Sequence, residues 1–204
     1  MRLNLPYLDT GAMYRAVALA GRRAGLAAPL DGRGREVVAT LAESMDLEVS
    51  GGPRHQRVRL NGEDVTSRLR DPDVSQFASV VSAIPEVRRA LVRRQRELAE
   101  RTGGIVEGRD IGTVVFPDAT VKVFVTAEAE VRARRRFDEL AKRGATATWE
   151  EVLREQRERD RRDSARADSP MRPASDAVIL DTSNLTLDQV VEALLAIVRR
   201  ATER

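Results

Sequence analysis

Cysteine is absent from the 204-residue sequence, which excludes disulfides and thiolate sites and is neutral between compartments. Aromatic residues make up 3%, too few for the stacking platforms that hold single-stranded nucleic acid. Lysine occurs only at Lys122 and Lys142, so the basic side is almost all arginine. No run approaches the roughly 20 apolar residues of a membrane span. The opening Met1-Arg-Leu-Asn-Leu-Pro-Tyr7 has no secretory h-region. These absences predict a soluble cytoplasmic protein with neither a membrane nor a nucleic-acid partner.

The hydrophobic content is 42%, enough for a real core, and the length suits one domain or one domain with an insertion. Lys+Arg number 35 against 32 Asp+Glu, a net charge of +3. The high pI of about 9.9 therefore reflects a small excess of very strong bases and no polybasic surface. Arginine in quantity suits two-point recognition of phosphates.

Along the chain, Leu3 to Leu8 reads as a strand entry and Asp9-Thr10-Gly11 as helix-capping chemistry. A helix is predicted from Ala12 to about Ala24, and a second near Arg35 to Met45. Leu47–Val49 and Arg57–Leu60 alternate like half-exposed strands, with Gly51-Gly-Pro53 and Asn61-Gly62 as turns. Helices follow at about Pro72 to Ser82 and Pro85 to Arg101. Gly104 to Glu107 reads as a short buried strand running into a glycine-punctuated loop that carries Arg109 and Asp110. Thr120 to Val125 and Ala177 to Leu180 are further strands. Between them lies an arginine-loaded helical hairpin, about Glu128 to Arg166, broken at Gly144. The last helix, about Leu187 to Arg200, has the cleanest amphipathic stripe. Strands alternating with helices predict an α/β fold with a mainly parallel sheet.

Four groups of residues could carry chemistry. Arg109 and Asp110 stand at the end of a strand, where open α/β sheets bind ligands; a loop ion pair on the surface fits them equally. Tyr14 and Arg15 in the opening turn of the first helix, behind Asp9 and Thr10, make an anion site, or else a plain cap and a solvated arginine. Arg88, Arg89, Arg93, Arg94 and Arg96, with Ser79 upstream, give one helix a basic face of the kind that is usually solvated. Arg159, Asp163 and Arg166 fall at i, i+4 and i+7 of a continuing helix. They form either a self-neutralising ladder or a lid that lowers arginines onto phosphates.

Taken together, Asp9-Thr-Gly-Ala-Met-Tyr-Arg15, Glu107-Gly-Arg-Asp110 with Gly112-Thr-Val-Val-Phe-Pro117, and Glu158-Arg-Asp-Arg-Arg-Asp163 resemble the bacterial cytidylate kinase family in order and spacing, over essentially the whole chain. The resemblance implies a single nucleoside monophosphate kinase domain over residues 1–204. Its fold would be a P-loop NTPase-like parallel sheet with flanking helices, built from core 1–45, 102–143 and 173–204. A small antiparallel CMP-binding insertion would span about 46–101 and a helical lid about 144–172. It implies ATP-dependent phosphorylation of CMP and dCMP with Mg²⁺, by a monomer whose partners are CMP, dCMP and ATP. Thr10, Arg15 and Arg109 would hold the α-phosphate of CMP, with Asp9 and Tyr14 in the same substrate stretch. Ser79, Arg88 and Asp110 would read the cytosine edge. Arg159 and Asp163 would reach the ribose and the transferring phosphates, and Arg166 would close over the site. No metal ligand is identified.

One family feature is not in the sequence. Members carry a Gly-x-x-x-x-Gly-Lys-Ser/Thr phosphate loop after a first, central strand, some twenty residues before the Asp-Thr-Gly stretch. No such motif occurs in the 204 residues, so no cofactor-binding residue is assigned for ATP. Phosphoryl transfer is nearly all positioning and electrostatics, so the activity of the exact chain is left open. Met1-Arg-Leu-Asn-Leu-Pro-Tyr7 reads like the tail of the family's first helix, which predicts a late start within a longer frame. A CMP-binding sensor or partner protein without transferase activity is the alternative. An arginine-rich RNA-binding protein is disfavoured by the balanced charge and the scarcity of aromatics.

Overall fold

The computed structural model describes residues 3–51, 56–166 and 168–203, and only the backbone of Gly51 and Thr102. The chain divides into two compact units, Met1–Ile111 and Gly112–Arg204.

In the first unit, strand β1 (Tyr7–Asp9) runs directly into helix α1 (Thr10–Arg23). Residues 3–6 are irregular, with Asn4 at positive φ, so neither the strand entry at Leu3 nor the tail of a helix is found there. Helix α2 (Gly32–Ser44) follows, capped by Asp31. The predicted small sheet is present as β2 (Leu47–Gly51), β3 (Gln56–Leu60) and β4 (Glu63–Asp64), antiparallel in that order. Its β3–β4 turn is Asn61-Gly62, with φ of 49° and 81°, the doubly left-handed geometry that matches strand twist in a two-residue hairpin. The predicted Gly51-Gly-Pro53 turn falls largely outside the described residues. Helices α3 (Pro72–Val81) and α4 (Pro85–Thr102) both begin on proline, where a missing N–H costs nothing.

The core of this unit is helical. Met13, Ala16, Val17 and Ala20 of α1 share a face and are buried with Val38 and Ala42 of α2, Val74, Phe77 and Val81 of α3, and Val87 and Leu91 of α4. Burying a large apolar side chain contributes about 1.5–3 kcal/mol, so this cluster holds the helices where they can aim polar side chains. Strand β5 (Ile105–Glu107) pairs in parallel with β1, Tyr7 opposite Ile105 and Asp9 opposite Glu107.

The expectation that β5 is buried is corrected here: Ile105 is 44% exposed and Glu107 is exposed. The physical reason is pairing. Among the described residues β1 is the only strand beside β5, so an apolar composition that would suit the middle of a sheet stands at an edge.

A single π-helical turn, Ile111–Val115, leads into the second unit. There β6 (Val123–Thr126) and β7 (Val178–Asp181) pair in parallel. Helix α5 (Ala129–Lys142) packs on α6 (Trp149–Ser164), the predicted hairpin, with a six-residue break at 143–148. A capping box of Thr148 and Glu151 starts α6, and Thr186 with Gln189 starts α7 (Leu187–Thr202). The stripe on α7 is only partly covered: Leu195 is buried and Leu187 is 78% exposed. The fold is α/β, with two parallel strand pairs and flanking helices among the described residues, as the alternation of elements predicts.

Candidate functional site

The first cluster is built where β1 becomes α1. Asp9 keeps extended backbone (φ −80°, ψ 98°) and caps the helix, its Oδ1 accepting from the Ala12 N–H at 3.2 Å. Its Oδ2 accepts from Arg15 Nη2 at 2.6 Å, and both side chains are largely shielded, at 18% and 20% exposure. The carboxylate therefore satisfies one orphan amide of the helix end and fixes a guanidinium one and a half turns along. Buried Thr10 donates its hydroxyl to the Glu107 carbonyl of β5 at 2.8 Å. An anion arriving here meets Arg15 already shared with Asp9 and a Thr10 hydroxyl that must turn to reach it.

The second cluster lies at the carboxyl end of β5. Asp110 and Arg88 are 5% and 3% exposed and form a direct ion pair through Oδ2 and Nη2. Arg88 also donates from Nη1 to the Ser82 carbonyl at 3.2 Å, and its guanidinium lies over the Tyr14 ring at 5.7 Å from the centroid. The Ser82 hydroxyl donates to the Ser79 carbonyl at 3.1 Å. The Ser79 hydroxyl is buried, at 8% residue exposure, with no hydrogen-bond partner. A buried polar group without a partner costs roughly 1–3 kcal/mol, so this oxygen is poised for a donor or acceptor from outside the chain. Arg109 is exposed at the same strand end.

The basic face of α4 thus splits. Arg89 and Arg93 are exposed and pair with Glu86 and Glu43, and Arg94 donates to the Glu43 carbonyl. Arg88 alone of the arginines named there turns into the protein.

In the second unit Arg159, Asp163 and Arg166 form their own group. Helix α6 ends at Ser164, with Ala165 as its cap, so the expectation of a helix continuing through Arg166 is corrected. Past the helix end Arg166 folds back on Asp163, and Arg159 Nε lies 3.9 Å from the same carboxylate. Asp163 is 2% exposed. The reason is local: a buried carboxylate needs a cation, and the chain turning out of the helix supplies one, with Met171 N–H donating to the Asp163 carbonyl at 2.9 Å.

The structure links Asp9, Thr10, Tyr14, Arg15, Ser79, Arg88 and Asp110 through contacts inside the first unit, with Arg109 beside them. It gathers the other three in the second. Several supporting residues escaped sequence reasoning. A Cβ on Gly108 would stand 2.5 Å from Thr10 Oγ1 and 2.7 Å from Ile111, so glycine there is required by crowding. Tyr7 donates to the Glu107 carboxylate across β1 and β5; burial, and then that carboxylate, push the Tyr7 phenol well above its ordinary value. Gln56 reaches the Asp9 backbone from β3. Only the glycine spacing after Glu107 hinted at any of these. No helix among the described residues is long and apolar enough to cross a membrane.

Comparison with known proteins gives one consistent result. The family model described as cytidylate kinase matches residues 1–200. The cytidylate kinase of Mycobacterium avium (strain 104) is 48% identical over 202 residues, covering 98% of this chain and 87% of the relative. That of Corynebacterium efficiens is 46% identical over 204 residues, 100% of this chain and 87% of the relative. That of Caldanaerobacter subterraneus subsp. tengcongensis is 44% identical over 201 residues, with 98% and 86% covered.

Proposed function

The chain belongs to the cytidylate kinase family, and from that premise we propose that it phosphorylates CMP and dCMP to CDP and dCDP, with ATP as donor. The observation that carries the acceptor assignment is the buried Arg88–Asp110 pair beside the unpartnered Ser79 hydroxyl.

Asp110 is the specificity element. A carboxylate accepts more than one hydrogen bond, so its bond to Arg88 leaves it able to receive the amino group of cytosine. Uracil offers a carbonyl oxygen at that position, which would face the carboxylate without a proton between them. Leaving such a group poorly paired costs about 1–3 kcal/mol, or roughly 5- to 150-fold in affinity. Arg88 and the Ser79 hydroxyl take the remaining polar atoms of the base edge, and Tyr14 packs beneath the Arg88 guanidinium.

Thr10, Arg15 and Arg109 hold the α-phosphate. Arg15 has several N–H donors, so it can keep Asp9 and add a phosphate oxygen, which orients the acceptor without moving the helix end. Arg15 and Arg109 offset the negative charge of the acceptor phosphate as it approaches the donor. Residues 46–101 form the CMP-binding part and 144–172 the lid, with the core as the remainder.

ATP, carried with Mg²⁺, supplies the transferable phosphoryl group. The donor side fits this in one respect: Asp163 collects Arg159 and Arg166, two guanidiniums of the kind that neutralise phosphate oxygens. Their role is to screen the transferring group and exclude water. Among the described residues no three acidic or histidine side chains cluster for a metal, and Mg²⁺ bound chiefly through phosphates and water needs no such cage. The relatives carry the kinase name, and nothing favours a transferase-free sensor. We place the protein in the cytoplasm, acting as a monomer.

The test is nucleotide titration by calorimetry together with a coupled assay for ADP. CMP and dCMP should bind, UMP at least about fivefold more weakly. CDP should form only with ATP present. Equal binding of CMP, UMP and AMP, or no binding of CMP, overturns the assignment.

A further inference from the structure

Gln56 is the first residue of β3, far in sequence from the phosphate-holding stretch, yet its amide grips the residue on which that stretch hangs. The Asp9 backbone N–H donates to Gln56 Oε1 at 2.7 Å, and Gln56 Nε2 donates back to the Asp9 carbonyl at 3.1 Å. On its other side Asp9 is opposite Glu107 in the β1–β5 pair. The strand end is thus held from both edges, by a strand on one and by a side-chain amide on the other. Only an amide side chain presents a donor and an acceptor spaced to match the N–H and C=O of one residue.

Two of the three residues assigned to the phosphate, Thr10 and Arg15, hang on Asp9. Its carboxylate caps α1 and holds Arg15. Its successor Thr10 is tied to the Glu107 carbonyl, and Tyr14 lies on the helix it caps. A small rotation of the Asp9 peptide therefore moves Thr10 and Arg15 together. A further polar tie between the small sheet and α1 is the exposed Arg23–Glu63 pair, at the far end of the helix, where solvent weakens it.

Resting on the assignment of Thr10 and Arg15 to the acceptor phosphate, we propose that Gln56 is a positioning residue: it fixes Asp9 and so registers the inserted sheet against the phosphate end of α1. Its effect belongs chiefly to phosphate recognition, because Arg88 and Asp110 are fixed by their own ion pair and by the Ser82 carbonyl, and the Tyr14 ring beneath Arg88 lies more than a turn from Asp9.

Calorimetry with CMP and with cytidine, which lacks the phosphate, separates the two. Gln56→Met keeps the length and removes both hydrogen bonds. It should weaken CMP binding about tenfold, as expected for two lost hydrogen bonds, and leave cytidine binding within twofold. Arg15→Met is the second arm. In that background Gln56→Met should produce less than a twofold further loss for CMP, because the group it positions is gone. Gln56→Glu retains an acceptor for the Asp9 N–H and should fall between wild type and Gln56→Met, which keeps the question answerable if Gln56→Met does not fold. If wild type binds CMP and both Gln56 variants bind it equally well, or if CMP and cytidine weaken in parallel, the positioning role is wrong while the acceptor assignment stands. If wild type fails to bind CMP, the acceptor assignment itself is wrong.

Discussion

At Gly108 the chain has no room for a side chain. A Cβ there would meet Thr10 Oγ1 and Ile111, each below 3 Å, and Thr10 cannot retreat without giving up its bond to the Glu107 carbonyl. Gly108→Ala should therefore cost about 1–3 kcal/mol through overpacking and weaken CMP binding, since Thr10 moves first. Gly32, exposed in the first turn of α2 with open space around it, is the contrast: Gly32→Ala should be neutral or stabilising by about 0.4–1 kcal/mol. Urea denaturation of both variants, with CMP titration of each, reads the difference. Equal stabilities would remove the crowding argument. The two glycines look alike in the sequence, apart from the motif around Gly108. The distinction is set by what the fold brings close. Asp110 and Arg88 differ from Gln56 in the same way. The first two sit in recognisable spacing, whereas the grip of Gln56 on Asp9 joins residues 47 apart and leaves no local pattern.

Helices read well from the sequence because capping and periodicity are local. Asp9, Pro72 and Pro85 each mark a helix start that the structure retains. What periodicity could not give was the burial of strands, since Ile-Val reads the same at an edge as in the middle, or the end of α6, where the need of Asp163 for a cation bends the chain back. The α5–α6 hairpin has a satellite core of its own: Ala133, Leu140 and Val152, with Phe137, Trp149 and Leu153 against them. Phe137 meets Trp149 edge-on at 6.3 Å and 88°, and Arg134 covers the Trp149 ring at 4.3 Å. With so few buried residues, each aromatic contact is a large share of what joins the two helices. Phe137→Ala should destabilise the hairpin by about 2 kcal/mol, less than a fully buried phenylalanine because the ring is half-exposed. Trp149 is the only tryptophan, so its emission reports directly: a red shift and an earlier urea midpoint are expected. An unchanged spectrum and midpoint would mean that the ring contact is incidental.

For the molecule as a whole, charge is the property on which composition and structure agree. With 35 basic and 32 acidic side chains, many charges among the described residues have partners: Glu63 with Arg23, Glu86 with Arg89, Glu130 with Arg157, Asp176 with Lys122. The carboxylates of these four pairs are held below their ordinary values, chiefly by hydrogen bonds to the partner or to backbone amides. Their contribution is present above the unfolded carboxylate range near pH 4 and is lost as pH falls through the lowered values. The alkaline side rests on fewer groups, because lysine is nearly absent. Burial and the Glu107 carboxylate raise the Tyr7 phenol above its usual value near 10. Above pH 10 the unfolded chain has lost that proton while the folded chain keeps it. The folded state then binds more protons than the unfolded one, and stability falls as pH rises. The melting temperature should therefore hold level between about pH 6 and 9 and decline above pH 10. Tyr7→Phe removes both the phenol and its bond to Glu107: it should lower the plateau modestly and flatten the alkaline decline, while leaving the acid limb unchanged. Melting curves of wild type and Tyr7→Phe from pH 3 to 12 test this. An alkaline limb of the same steepness in the two proteins would place the titration elsewhere and remove the Tyr7–Glu107 bond as a determinant of stability.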